Sequence, residues 1–160
     1  MDNNITGKWF TGSGSPISSA AIFDEIDEYV KLGGKVFIGT DSQIKSVGCI
    51  FATAICLHSR SGKKYGKYFF NKGVEPEIPL KALRARIMKE VQLSIDIAFI
   101  ILERYPQADI EVHVDVGTTQ RSATRKFVDS ISGWVKGVGF ECKIKPNSWA
   151  SSSVADNHTK

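Results

Sequence analysis

The sequence predicts an α/β domain built on a mixed five-stranded sheet, on three observations. Three strand-like runs follow one another with only short polar links between them, the pattern of an antiparallel meander. The longest amphipathic helix pattern of the chain comes next. Two further strand-like runs then follow, each entered from a helix. A strand reached through a helix returns parallel to an earlier one by a right-handed crossover, so the sheet is mixed.

The composition agrees. A chain of 160 residues that is 42% hydrophobic and 24% charged has the length of one domain and enough apolar surface for a core. Disorder would need fewer apolar residues. No apolar run approaches the roughly 20 residues of a membrane helix. The densest, from Ile95 to Leu102, is interrupted by Asp96. The opening Met-Asp-Asn-Asn-Ile-Thr has no basic segment leading into an apolar one, so no secretory signal or membrane partner is expected. Cys49, Cys56 and Cys142 form no Cys-x-x-Cys pair, which reads as reduced thiols in a cytoplasmic protein. The formal charge of +4 permits a polyanionic partner without requiring one. Oligomeric state is not readable.

Element by element, residues 1–17 are polar and rich in Gly and Ser, and read as a loop carrying Trp9 and Phe10. A helix starts at Ser18 or Ser19, with Ile22, Phe23, Ile26, Tyr29 and Val30 on one face, and Gly33-Gly34 stops it. Residues 1–34 are thus a loop and helix packed on a core domain of residues 35–160. The meander occupies 35–44, 49–58 and 64–72. Pro79 suits a first helical turn, and residues 80–103 carry Leu80, Leu83, Ile87, Val91, Ile95, Ala98 and Leu102 at helical spacing. A strand over 109–116 follows. After it come a helix over about 120–136, with Phe127, Ile131, Trp134 and Val135 on one face, and a last strand over 140–145. Beyond Trp149 the pattern is that of a short helix of barely two turns.

Chemistry concentrates in the acids. In Lys35-Val-Phe-Ile-Gly-Thr-Asp41, strand alternation puts Phe37, Gly39 and Asp41 on one face, with Asp41 at the strand's carboxyl end. In Ile110-Glu-Val-His-Val-Asp115, it groups Glu111, His113 and Asp115. If these two strands are parallel neighbours, Asp41 and Asp115 reach the same sheet edge, where open α/β sheets bind ligands. Glu90 flanks the buried stripe of the long helix and points toward the sheet it covers. Carboxylates brought together raise one another's pKa unless a cation neutralises them, and an all-oxygen set suits Mg²⁺ or Mn²⁺. Taken singly, Asp at a strand end is also an ordinary turn residue, and Glu90 an ordinary helix residue. Asp156, in Ser151-Ser-Ser-Val-Ala-Asp156-Asn-His158, says little alone.

Together these residues carry a resemblance. Ile38-Gly-Thr-Asp41-Ser-Gln43, His113-Val-Asp115-Val-Gly117 and Lys145-Pro-Asn-Ser-Trp-Ala-Ser-Ser-Ser-Val-Ala-Asp156-Asn-His-Thr-Lys160 resemble an uncharacterised ribonuclease H-like family of bacteria, archaea and their viruses. The resemblance implies that Asp41, Glu90, Asp115 and Asp156 converge on one or two Mg²⁺ or Mn²⁺ ions. It implies a nuclease acting on RNA, an RNA–DNA hybrid or structured DNA. There Asp41 and Asp115 share the metals, Glu90 holds one with its water and Asp156 the other. His113 or His158 would assist proton transfer, with Ser42 and Gln43 beside Asp41 as further assisting groups. The alternative is a catalytically silent nucleic-acid-binding or scaffolding protein with the same fold.

Basic residues supply candidate phosphate contacts. Lys81, Arg84, Arg86 and Lys89 lie on the long helix, Arg121, Arg125 and Lys126 on the next, and Lys145 after the last strand. Of these, Lys81, Arg84, Arg121, Arg125 and Lys145 are the expected nucleic-acid contacts. Lys63, Lys64 and Lys67, interleaved with Tyr65, Tyr68, Phe69 and Phe70, read first as protection of a sheet edge and second as a stacking groove. His113 is equally compatible with a hydrogen-bonded core position. Trp134 fits the core stripe of its helix.

Overall fold

The structure, a computed structural model, describes residues 5–59, 66–75, 83–117 and 124–160. Helix α1 (Ser19–Lys31) begins where the Ser18 side chain accepts a hydrogen bond from the Ala21 N–H at 3.1 Å. It ends where Gly33 turns the chain through φ +72°. The meander follows as β3 (Lys35–Lys45), β4 (Gly48–His58) and β5 (Lys67–Glu75), each antiparallel to the next. Helix α2 (Leu83–Arg104) crosses over to β6 (Asp109–His113), which pairs parallel with β3 from Lys35↔Asp109 to Gly39↔His113. After a 3₁₀ turn (Arg125–Phe127), α3 (Val128–Gly137) returns the chain to β7 (Glu141–Lys143), parallel to β6. The α/β class and the parallel return beside the first meander strand are as the sequence predicts.

The sheet is wider than expected. Two short strands, β1 (Trp9–Thr11) and β2 (Pro16–Ile17), lie in the segment read as a loop. They extend the sheet to seven strands in the order β2-β1-β5-β4-β3-β6-β7. Runs of two or three residues are too short to show alternation, and the Gly/Ser turn between them dominates the local composition. What makes β1 a strand is tertiary: Trp9 is buried, pairs with Asn71 of β5 and donates its indole N–H to Thr6 at 3.0 Å. At the other edge the last two strands are shorter than their sequence patterns. β6 stops at His113 because the chain beyond it is held by single contacts, Val114 N–H to Lys143 and Lys145 N–H to Val116.

The sheet buries its two faces unequally. Val36, Ile38, Ile55, Leu57, Ile110 and Val112 face α1 and α2 and join the main core. The other face carries a smaller cluster, Ala54 and Cys56 with Ala150 and Ala155. These alanines belong to the terminal segment, a π-helical stretch (Ala150–Ala155) running into a 3₁₀ turn (Asp156–His158). Its close seat depends on Gly39, where an added Cβ would stand 2.4 Å from the Ser151 nitrogen. Among the described residues, no helix is long and apolar enough to cross a membrane.

Candidate functional site

Strand β3 distributes the site residues by parity. Thr40 Oγ1 lies 2.7 Å from Ser94 Oγ of α2 and 3.0 Å from Thr53 Oγ1, and the Ser42 hydroxyl donates to Glu90 Oε1 at 2.5 Å. Residues 40 and 42 therefore look at α2. Gly39 and Asp41 look the other way, where Thr159 Oγ1 donates to Asp41 Oδ2 at 2.9 Å. Asp41 and Glu90 thus approach the same strand from opposite faces. Helical spacing alone, which points Glu90 only "toward the sheet", does not contain that distinction.

Glu90 is 6% exposed. Burial pushes its carboxyl up to about 8; Asp41 and Asp115 add to the rise, while the Ser42 hydrogen bond and Arg86 oppose it. Arg86 Nε donates to Ser42 Oγ at 3.3 Å, so the hydroxyl accepts from a guanidinium and passes its own proton toward Glu90. Asp41 is raised to about 6, by burial first and then by the charges of Asp115 and Asp156, against the Thr159 hydrogen bond. The four acids predicted from the sequence therefore act on one another through space, Asp41 with each of the other three and Glu90 also with Asp115.

Each also has a protein partner of its own. Lys145 Nζ stands 2.9 Å from Asp115 Oδ1, and Lys160 Nζ 3.1 Å from Asp156 Oδ2. The Lys145 contact lies off hydrogen-bond geometry, so Asp115 Oδ1 is buried without a hydrogen bond among the described residues. Gln43 Oε1, on the same face of β3 as Asp41 by alternation, is likewise buried and unbonded. Among the described residues no three His, Cys, Asp or Glu side chains are gathered closely enough to hold a metal ion.

The histidines are engaged elsewhere. His113 is 1% exposed; its Nδ1 accepts the Ala150 N–H at 3.0 Å, which puts the ring proton on Nε2, 3.0 Å from Glu111 Oε1. Burial lowers its pKa, so it is a neutral ring fastening the terminal segment to the sheet. Trp149 packs on Phe37, His58 and His113 at 4.8–5.1 Å and anchors the start of that segment. His158 stacks on Phe70 at 3.5 Å, with Nε2 3.1 Å from the Tyr68 hydroxyl. Burial and then Lys72 lower its pKa.

Of the basic residues, Lys145 serves Asp115, Arg86 serves Ser42, and Lys89 reaches Glu75 at 3.8 Å. Arg125 is exposed on its 3₁₀ turn, and Arg84 lines a cleft between α2 and α3. Lys67 pairs with Glu25 at 2.9 Å while Phe69 and Phe70 are buried, but β5 is not the sheet edge the sequence suggests, because β1 pairs with it at Phe69–Asn71. Lys63, Lys64, Tyr65, Lys81 and Arg121 lie outside the described residues. Sequence reasoning missed Thr159 and Lys160. The spacing Asp156-x-x-Thr159-Lys160, one helical turn, was the available signal.

Comparison with known proteins decides the family: the model described as Ribonuclease H-like matches residues 19–160. The chain belongs to the ribonuclease H-like family. It is also 33% identical over 138 residues to a Bacillus subtilis (strain 168) protein named "Uncharacterized protein YkuK", the match covering 77% of each chain. No solved structure matches it. The ribonuclease H-like match takes in α1 together with all the later elements, and excludes only the segment bearing β1 and β2.

Proposed function

We propose that this ribonuclease H-like chain is a divalent-metal-dependent nuclease acting on RNA, an RNA–DNA hybrid or structured DNA. One observation carries the reading: four acids from four separate segments act on one another at the carboxyl end of β3, and two of them, Asp41 and Glu90, are driven up in pKa. Carboxylates raised by burial and by one another's charge are what a bound cation stabilises in the ionised form. The donor chemistry fits Mg²⁺ or Mn²⁺. The set is all oxygen, Gln43 Oε1 is a buried acceptor without a hydrogen-bond donor among the described residues, Asp115 Oδ1 meets the Lys145 ammonium off hydrogen-bond geometry, and Lys145 and Lys160 already supply cations there. Asp41, Asp115 and Asp156 would hold the metal from one face of the sheet and Glu90 from the other.

A bound divalent ion would lower the pKa of an attacking water and stabilise the leaving oxygen. The chain's own residues set the conditions. The hydrogen bond from Ser42, itself held by Arg86, fixes the orientation of Glu90. Thr159 fixes Asp41. Lys145 and Lys160 keep Asp115 and Asp156 in place and must yield them before either acid can ligate. Phosphate contacts fall to the exposed bases Arg84 and Arg125, and to Lys145 once released.

A second reading has its own support. Every one of the four acids already has a protein partner, and among the described residues no three ligands are gathered, which is what a silent nucleic-acid-binding module with lysines in place of metal would show. Calorimetric titration of Mn²⁺ and Mg²⁺ into metal-free protein separates the two. The nuclease reading expects saturable binding weakened by both Asp41→Asn and Asp115→Asn, and metal-dependent cleavage of hybrid, single-stranded or branched substrates. Absence of divalent binding at millimolar concentration, with nucleic acid present, leaves the silent module.

A further inference from the structure

Between the first turns of α2 and the start of α3 lies a cleft of about 330 Å³. That is at the small end of ligand pockets, roughly 300–1,000 Å³. Its walls are Met88 of α2 and Phe127, Ile131 and Trp134 of the 3₁₀ turn and α3. Arg84, Lys126 and Ser130 complete the lining. Arg84 and Lys126 are exposed, and among the described residues neither forms an ion pair; Lys126 Nζ rests 5.1 Å above the Phe127 ring. The sequence assigned Trp134 to a core stripe. Ile131 and Val135 are the buried residues of α3, and Trp134, part-buried, packs against the same core while also lining the cleft.

An apolar ligand would use the rings and leave two cations idle, and a simple anion would use the cations and leave the rings idle. A planar aromatic group joined to a phosphate uses both. We propose that this cleft is a nucleotide subsite, in which a base packs against Trp134 and Met88 and its phosphate meets Arg84 and Lys126. Met88 is suited to the wall because a flexible thioether adapts to different bases. Arg84 and Met88 share one face of α2, and Glu90 lies on nearly the opposite one. The cleft and Glu90 therefore lie on opposite sides of α2, about one helix diameter, ~10 Å, apart, and Asp41 lies farther, across the sheet. The proposal deepens the nuclease reading by giving its substrate a second point of attachment, but the contact itself needs no metal.

The same chemistry is offered by a free nucleoside monophosphate and by a nucleotide within a strand. The test is tryptophan fluorescence in EDTA, titrated with AMP, UMP, inorganic phosphate and a 5′-phosphorylated hexanucleotide. AMP and UMP should quench saturably where phosphate does not, and the quench should vanish in Trp134→Phe. Arg84→Glu combined with Lys126→Glu should weaken binding at least about tenfold, the loss of one charge-assisted contact or more. The thermal midpoint should not move, since both side chains are exposed. Tighter binding of the hexanucleotide, with a salt slope that falls by about 1 per contact removed, assigns the cleft to a strand. Binding of the mononucleotides alone assigns it to a free nucleotide. No quench by any nucleotide, or an affinity indifferent to the double charge reversal, overturns the proposal. Because metal is absent throughout, failure here is separate from failure of Asp41→Asn to abolish cleavage.

Discussion

The two faces of strand β3 hold the site in opposite ways. Toward α2, a helix of 22 residues closes over Thr40, Ser42, Ser94 and Glu90, and the acid is fixed deep beside the main core. Toward the terminal segment, Asp41 is covered by a short π-helical and 3₁₀ stretch resting on alanines, a bare glycine and a ring cluster. One half of the site is built into the fold. The other half is laid on it, over a smaller buried cluster separate from the main core. Local stabilities in a protein follow such differences in buried apolar contact.

The largest expected effect tests whether the laid-on half carries the chemistry. Asp41→Asn should cut metal-dependent cleavage about a thousandfold or more, the scale of losing several kcal/mol of transition-state stabilisation. The same variant should melt higher than wild type at pH 8 and equally at pH 4. Asn keeps the Thr159 hydrogen bond and removes a buried charge repelled by Asp115 and Asp156. A variant that loses activity and stability together at pH 8 would put Asp41 among structural acids.

The built-in half makes its prediction through pH. Glu90 holds its proton more tightly in the folded chain, from an ordinary 4.5 up to about 8. Its contribution to stability is therefore complete below pH 4.5 and is lost as pH rises through 8. The span is on the order of 4–5 kcal/mol. Chemical denaturation from pH 4 to 9 should show this decline in metal-free protein, and Glu90→Gln should flatten most of it. Millimolar Mn²⁺ should restore stability more at pH 8 than at pH 5, because the ion competes with the proton. An undiminished slope in Glu90→Gln would assign the decline to other groups.

Gly39→Val separates the halves directly. The new side chain meets the backbone of Ala150 and Ser151, a fault of about 1–3 kcal/mol that lifting the terminal segment relieves. Hydrogen exchange should speed up over residues 148–160 and stay slow in α2. Equal loss of protection in both would show that the terminal segment belongs to the main cooperative unit. The smallest effect belongs to Lys145→Ala. This half-exposed pair contributes less than about 1 kcal/mol to stability. Its removal should nevertheless tighten Mn²⁺ binding by freeing Asp115, and a titration showing weaker binding would give Lys145 a supporting role.

How much of this was legible depends on the length of the signal. The β3 and β4 runs of eleven residues and the 22-residue α2 declared themselves through periodicity, and their order forced a parallel β6. The three residues of β1 and two of β2 did not, because their stability comes from pairing with β5 rather than from any local pattern. Asp41 and Asp115 were placed at one edge by alternation alone. Nothing local told that Glu90 would bind Ser42, because that depends on which face of β3 the helix covers.

Asp156 came only with the family resemblance; the sequence by itself pointed to the sheet order at the core, the faces of β3 and, given that order, Asp41 and Asp115 at one edge. These follow from periods of 2 and 3.6 and from the handedness of a crossover, which are properties of the chain. Only the tertiary structure decided what three of the acids would touch: Thr159 for Asp41, Ser42 for Glu90 and Lys145 for Asp115, whereas Lys160 meets Asp156 one helical turn away. Two of those partners come from segments far away in sequence and one from the next strand over. Contacts of that kind depend on the packing of whole elements, to which no local pattern is sensitive.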